Sequence, residues 1–212
     1  MKYLRPLVVL LALAGAPLGP AAAAARAAEA GDLLFAPRAP WALPQGGLGW
    51  RLSQQGPEVP GFRPLGEGRV GLEQVSDPSD GKPVLQLHEV AGPIDRRIGP
   101  FPVSGGDPAL TFFLETTARD MATLTGGSPF YIRNRLKDAL FRGGEVRHAG
   151  ARTELSFAPF RDDPNRDRMF GFDSLEMVFV LDDPHGPIRS MAARTGPLAG
   201  GQPPYVSEMV LQ

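Results

Sequence analysis

Two sets of helix punctuation between Asp107 and Gly144 constrain the fold more than any other feature of this chain. Asp107 stands directly before Pro108, so a carboxylate can cap the free amides of a first turn while proline at the first helical position sacrifices no helix bond. Leu110, Leu114, Thr117, Met121 and Leu124 then recur at helical spacing, with Phe113 widening the stripe, and predict a helix over 108–124. Gly126 and Gly127 suit a left-handed C-terminal cap. Ser128 and Pro129 repeat the start signal, and Ile132, Leu136, Ala139 and Leu140 stripe a second helix that ends at Gly143 and Gly144. The pair reads as a helical hairpin.

Strand signals flank this hairpin on both sides. Upstream, residues 69–75 and 83–90 are apolar and alternating and are separated by the turn-forming stretch DPSDG, which predicts an antiparallel hairpin. The Pro-rich run after it, GPIDRRIGPFPVSGGDP, reads as a lead out of the sheet. Downstream, RTELSFAPF, SLEMVFVLDD, PIRSMAAR and YVSEMVLQ are short apolar-rich runs separated by turns. In the second of these, Leu175, Met177, Phe179 and Leu181 share one face while Val178 and Val180 are apolar too, the pattern of a central strand covered on both sides. The order β-β-α-α-β-β-β-β implies an α+β fold: an antiparallel sheet with a helical hairpin packed on one face.

The N-terminal part divides into two zones. Lys2 and Arg5, an apolar run from Leu7 to Leu18, and small-residue cleavage sites within Ala21 to Ala30 have the layout of a cleavable export signal, placed at residues 1–25 and extending at most to 30. That run is shorter than the ~20 residues a spanning helix needs, and Gly15 and Pro17 interrupt it, so no stable membrane insertion is expected once the signal is removed. Residues 26–64 form a Pro/Gly-rich extension in which proline removes backbone donors, so at most short edge strands and loops are expected there, with Trp41 and Trp50 as packing anchors. Residues 65–212 are read as a single α+β domain.

Composition excludes several classes of chemistry. A formal net charge of -1 gives no electrostatic reason to expect nucleic acid. With no cysteine in the chain there is no thiol chemistry, disulfide, lipid-anchored cysteine or c-type haem attachment. The three histidines, His88, His148 and His185, have no ligand spacing, and His88-Glu89 lacks the second histidine of a helical zinc site. Asp163, Asn165 and Asp167 stand at the first, third and fifth positions of a calcium-loop pattern. Arg168 then replaces the required glycine and Ser174 the bidentate glutamate, so a solvated hairpin loop is expected instead. No G-x-S-x-G is present, and Ser104 and Ser128 have no histidine nearby in the sequence. No metal and no cofactor are expected.

What remains is the joint of the helical hairpin. A helix start offers free N–H groups and the positive end of a dipole, and Gly126, Gly127 and Ser128 would let a ligand approach the backbone, with Tyr131 and Arg133 as side-chain contacts. The same residues are the ordinary chemistry of a tight helix–helix joint, and Phe130 and Tyr131 suit packing at its tip. Both readings stay open.

The stretch DPALTFFLETTARDMATLTGGSPFYIRNRLKDAL, Asp107 to Leu140, about a sixth of the chain, resembles the helical core of a family of exported proteobacterial proteins of uncharacterised activity. Carrying the resemblance are an acidic residue before proline, FLE followed by an arginine and Met-Ala, then TGGS, an aromatic pair and an Arg-rich helix ending in AL; SLEMVFVLDD fits the same pattern. The resemblance implies a Gram-negative periplasm and brings no catalytic residues. The expectation is a soluble periplasmic protein that binds an envelope protein or a small ligand without catalysis. Two alternatives are a carrier of an apolar ligand or lipid, with a cavity between sheet and hairpin, and a hydrolase with a site assembled in space.

Overall fold

A computed structural model describes residues 29–212; the export signal expected at 1–25 lies outside the described residues. Residues 29–34 are helical, and nine strands and two longer helices follow. In chain order these are β1 (Leu48–Gln55), β2 (Gly66–Ser76), β3 (Pro83–Ala91), β4 (Ile94–Pro102), α1 (Pro108–Thr125), α2 (Pro129–Arg142), β5 (Glu145–Ala149), β6 (Arg152–Phe157), β7 (Glu176–Leu181), β8 (Ile188–Arg194) and β9 (Val206–Leu211). All nine strands form one antiparallel sheet in the order β4-β3-β2-β1-β9-β8-β7-β6-β5. The chain meanders outward from the centre to the β4 edge, crosses the sheet through the α1–α2 hairpin, and meanders back from the β5 edge to the centre. The expected α+β fold, with the helical pair packed on the sheet, is what forms.

The helix signals work as their chemistry predicts. Asp107 accepts from the Ala109 and Leu110 amides at 2.9 and 3.0 Å, and Gly126 closes α1 in the left-handed region at φ 67°. Ser128 caps α2 through the Tyr131 amide. Gly143, by contrast, ends α2 in an extended conformation. Between β2 and β3, the Asp77 amide bonds to the Lys82 carbonyl at 2.8 Å and the Gly81 amide to the Asp77 carbonyl at 2.8 Å. This sets the register in which Leu72 faces Leu87.

Three expectations need correction. Residues 26–64 supply more than edges: β1 is central, hydrogen-bonded to β2 on one side and β9 on the other, and its Trp50 is fully buried with the indole N–H donating to the Ile188 carbonyl at 3.0 Å. The alternation of Trp50 and Leu52 with Arg51 and Ser53 outweighs the neighbouring prolines, none of which falls inside the strand. The Pro-rich run after β3 does not simply lead out of the sheet but contains a strand, β4, and a further short strand that holds His148, β5, lies between α2 and β6. Finally, β7 is not covered equally on both faces. Met177, Phe179 and Leu181 are buried, whereas Val178 and Val180 on the other face are half-buried.

The core lies between the sheet and α1. Phe179 meets Phe113 of α1 edge-on at 6.1 Å and Phe157 at 5.9 Å, and Leu85, Leu87, Leu155, Met191 and Met209 complete a fully buried layer. Each such side chain contributes roughly 1.5–3 kcal/mol by leaving water. On α2 the buried stripe is narrower, Ile132, Leu136 and Leu140, and Phe141 stays half-exposed while stacking on Phe35 with centroids 4.2 Å apart. Among the described residues no helix is long and apolar enough to cross a membrane.

Candidate functional site

Where α1 hands over to α2, the joint meets the long loop between β6 and β7 and leaves a cleft of about 230 Å³. Gly126, Gly127, Ser128 and Tyr131 line it from the joint; Asn165, Arg168 and Met169 line it from the loop, over a floor that includes Met121 and Ile132. Four of the five residues singled out from the sequence therefore share one concave surface. Arg133 does not: its guanidinium is engaged by Glu115 of α1, with Nε 2.6 Å from Oε1 and Nη2 2.9 Å from Oε2. The reason is helical geometry. Residues two apart lie about 200° around a helix, so Arg133 cannot share the face of Tyr131, whereas Arg135, four residues on, does.

That face is tied to the loop by Asp163. Its carboxylate accepts from the Tyr131 hydroxyl at 2.8 and 2.9 Å, from Arg135 Nε at 2.6 Å and from the Asn165 amide at 2.8 Å. The Asn165 side-chain amide in turn donates to the Tyr131 hydroxyl at 2.9 Å. Burial pushes the Asp163 carboxyl up, but the Asn165 amide, the Tyr131 hydroxyl and the Arg135 guanidinium outweigh it, and the group sits below the ordinary carboxylate range. Asp163 is thus no member of a solvated loop. It is 1% exposed and anchors residues 163–175 to α2. Asp167 points out at 97% side-chain exposure, so the oxygens of the calcium-like pattern diverge. Among the described residues no group of His, Asp and Glu could hold a metal ion.

The walls of the cleft are therefore held rigid while its polar groups are unequally committed. The Gly127 amide is given to the Thr125 hydroxyl at 3.1 Å and the Ser128 hydroxyl to the cap. Arg135 and Arg166 have carboxylate partners, whereas the exposed Arg168 pairs with no carboxylate among the described residues. Two exposed aromatics adjoin the lining residues in the chain, Phe130 at 70% and Phe170 at 55%. Phe170 is also the one non-glycine residue with positive φ among the described residues, at 54°. A bulky side chain in the left-handed region is strained, and here the strained backbone carries an aromatic ring in water.

Other titratable groups converge elsewhere, in the interior. Asp120 of α1 accepts from Tyr205 Oη and from Gln54 Nε2, both at 2.7 Å, and Gln54 accepts from the Leu65 amide at 3.0 Å. Burial pushes the Asp120 carboxyl up to about 6, partly opposed by these two hydrogen bonds. Burial also raises the Tyr205 hydroxyl, which is fully buried. These groups bridge helix and sheet within packed side chains. His88 is on the opposite face of the sheet, its Nε2 2.8 Å from Asp95. Comparison with family models, curated proteins and solved structures finds no match, and the reading of the site rests on its own geometry.

Proposed function

We propose that this is an exported, periplasmic, non-catalytic binding protein that docks an envelope partner on the tip of its helical hairpin. The observation that carries this reading is a guanidinium in the cleft lining with no carboxylate partner among the described residues, Arg168, together with two exposed aromatic residues, Phe130 and Phe170, that stand next in the chain to the lining residues Tyr131 and Met169. Aromatic and arginine side chains supply most of the energy at protein interfaces. The cleft asks for an acidic group to meet Arg168 beside an apolar group to meet the rings and the methionine floor. Export is supported by the basic, apolar and small-residue zones of the first 30 residues.

Two observations favour docking over the alternatives. The space between sheet and helices is filled by Trp50, Phe113, Phe160, Phe172 and Phe179, all at most 1% exposed, which is a packed core and not a carrier's cavity. Of the two carboxyls that burial raises, Asp120 is bonded to Tyr205 and Gln54 among packed side chains and Asp107 caps α1 beside Arg38, and among the described residues neither is bonded to a histidine, which does not favour a hydrolase. The test is photocrosslinking in cells, with benzoylphenylalanine at Phe130 or Phe170 and, as control, at His88 on the far face. A discrete adduct from the tip positions alone, lost in Arg168→Glu, is expected. The same adduct from all three positions, or none from the tip, would overturn the proposal.

A further inference from the structure

At the opposite end of α1, roughly 27 Å from the tip by helix rise, a second cavity of about 230 Å³ lies between residues 35–39 and the Ser104-Gly105-Gly106 turn that leads into the helix. Arg38 and Asp107 both line it, and the side chains of both are 2% exposed. They approach each other without a hydrogen bond, Arg38 Nε lying 3.7 Å from Asp107 Oδ2. Arg38 is held by the chain around it: Nε donates to the Gly186 carbonyl at 2.9 Å, and Nη1 to the carbonyls of Leu34 at 2.8 Å and Ala36 at 3.3 Å. Nη2 finds no hydrogen-bond partner among the described residues. Asp107 divides its carboxylate likewise: Oδ1 caps α1 through two amides, and Oδ2 finds no hydrogen-bond partner among the described residues.

A buried donor and a buried acceptor left unsatisfied each cost about 1–3 kcal/mol, more when charged. Here one of each belongs to a residue that lines the same cavity. The helix start is already occupied by Oδ1, so an incoming anion would meet Asp107 and not free amides. A group that accepts from Nη2 and donates to Oδ2 satisfies both, and hydroxyls and primary carboxamides do so without charge. The remaining walls include Phe35, Ala39 and Leu110, which suit a small apolar body. The volume is several times the ~30 Å³ of one water.

We propose that this cavity binds a small neutral molecule that presents a hydroxyl or primary carboxamide to Arg38 and Asp107. The site is separate from the docking tip, and neither proposal depends on the other. The test is titration of the isotope-labelled protein with benzamide, benzyl alcohol and benzoate, read at the Gly105 and Gly106 amides by NMR. Saturable shifts from benzamide or benzyl alcohol, with benzoate at least tenfold weaker, are expected, and the stronger of the first two identifies the carboxamide or the hydroxyl as the natural group. Asp107→Asn keeps a good helix cap but turns the free acceptor into a donor, so it should reverse the order and favour benzoate. The proposal is overturned if no probe moves these amides up to its solubility limit, which would leave the two polar atoms to water. It is overturned equally if benzoate matches benzamide on the unmodified protein, a comparison that needs no variant to fold, or if a folded Asp107→Asn keeps the original order.

Discussion

Replacing Asp120 by asparagine should abolish one specific pH dependence of stability. In the folded protein burial raises the Asp120 carboxyl from an ordinary 3.8 to about 6, with the charge of Glu89 adding to the effect and the bonds from Tyr205 and Gln54 opposing it. Below about pH 3.8 the group is protonated folded or unfolded, and its contribution to stability is fully present. As pH rises, the unfolded chain ionises first, so stability is lost between about 4 and 6 and then levels off. A shift of this size corresponds to about 3 kcal/mol. Both donors use the same oxygen, Oδ2, and an asparagine carbonyl can accept from both without ever ionising. Urea unfolding of the two proteins from pH 3.5 to 8 therefore has a defined outcome: Asp120→Asn gains up to about 3 kcal/mol on the unmodified protein as pH rises through 4 to 6. All other titrations cancel in that difference. A gap constant to within about 0.5 kcal/mol, near the limit of additivity, would refute the assignment.

Asp163→Asn should act in the opposite sense. This carboxyl is held below its ordinary value, so its contribution is present above the unfolded pKa and lost as pH falls through the folded one; the variant should lose about 2–3 kcal/mol at pH 7 and show a flatter acid limb in the same titration. Phe170→Asn places a residue tolerant of the left-handed region where φ is 54°. It should raise stability by about 0.5–1 kcal/mol in thermal unfolding while weakening the tip crosslink obtained from Phe130.

The sequence made legible those elements whose signals are local. Asp107-Pro108, Gly126 and Ser128-Pro129 punctuate helices through contacts within a few residues, and the observed bounds of α1 and α2 follow them closely. The missed strands are three: β1, which is central but lies among the prolines of 26–64, and β4 and β5, which are the two edges of the sheet. In β4 no residue is fully buried, and in β5 only Val146 is even half-buried. An edge strand without a core face carries no alternation to read. At the tip, Gly126 to Tyr131 could be found because capping chemistry marks them. Arg168 and Asn165 could not, because nothing in a linear pattern says that Asn165 will bond to Tyr131 from the far side of two intervening strands. Arg133 is the instructive error, since its distance of two from Tyr131 already contained the contradiction.

The sheet closes at its middle, where Trp50 of the first strand lies opposite Leu211 of the last. Chain growing from a ribosome can pair β1 through β4 early, yet the flank of β1 that will receive β9 stays bare until nearly everything downstream has been made. The seam is also where loop-closure entropy is greatest, so its formation should dominate the folding time. A chain built this way postpones its final commitment to structure, and on the proposed export route, in which a chain is threaded through a membrane before it folds, delay is an asset.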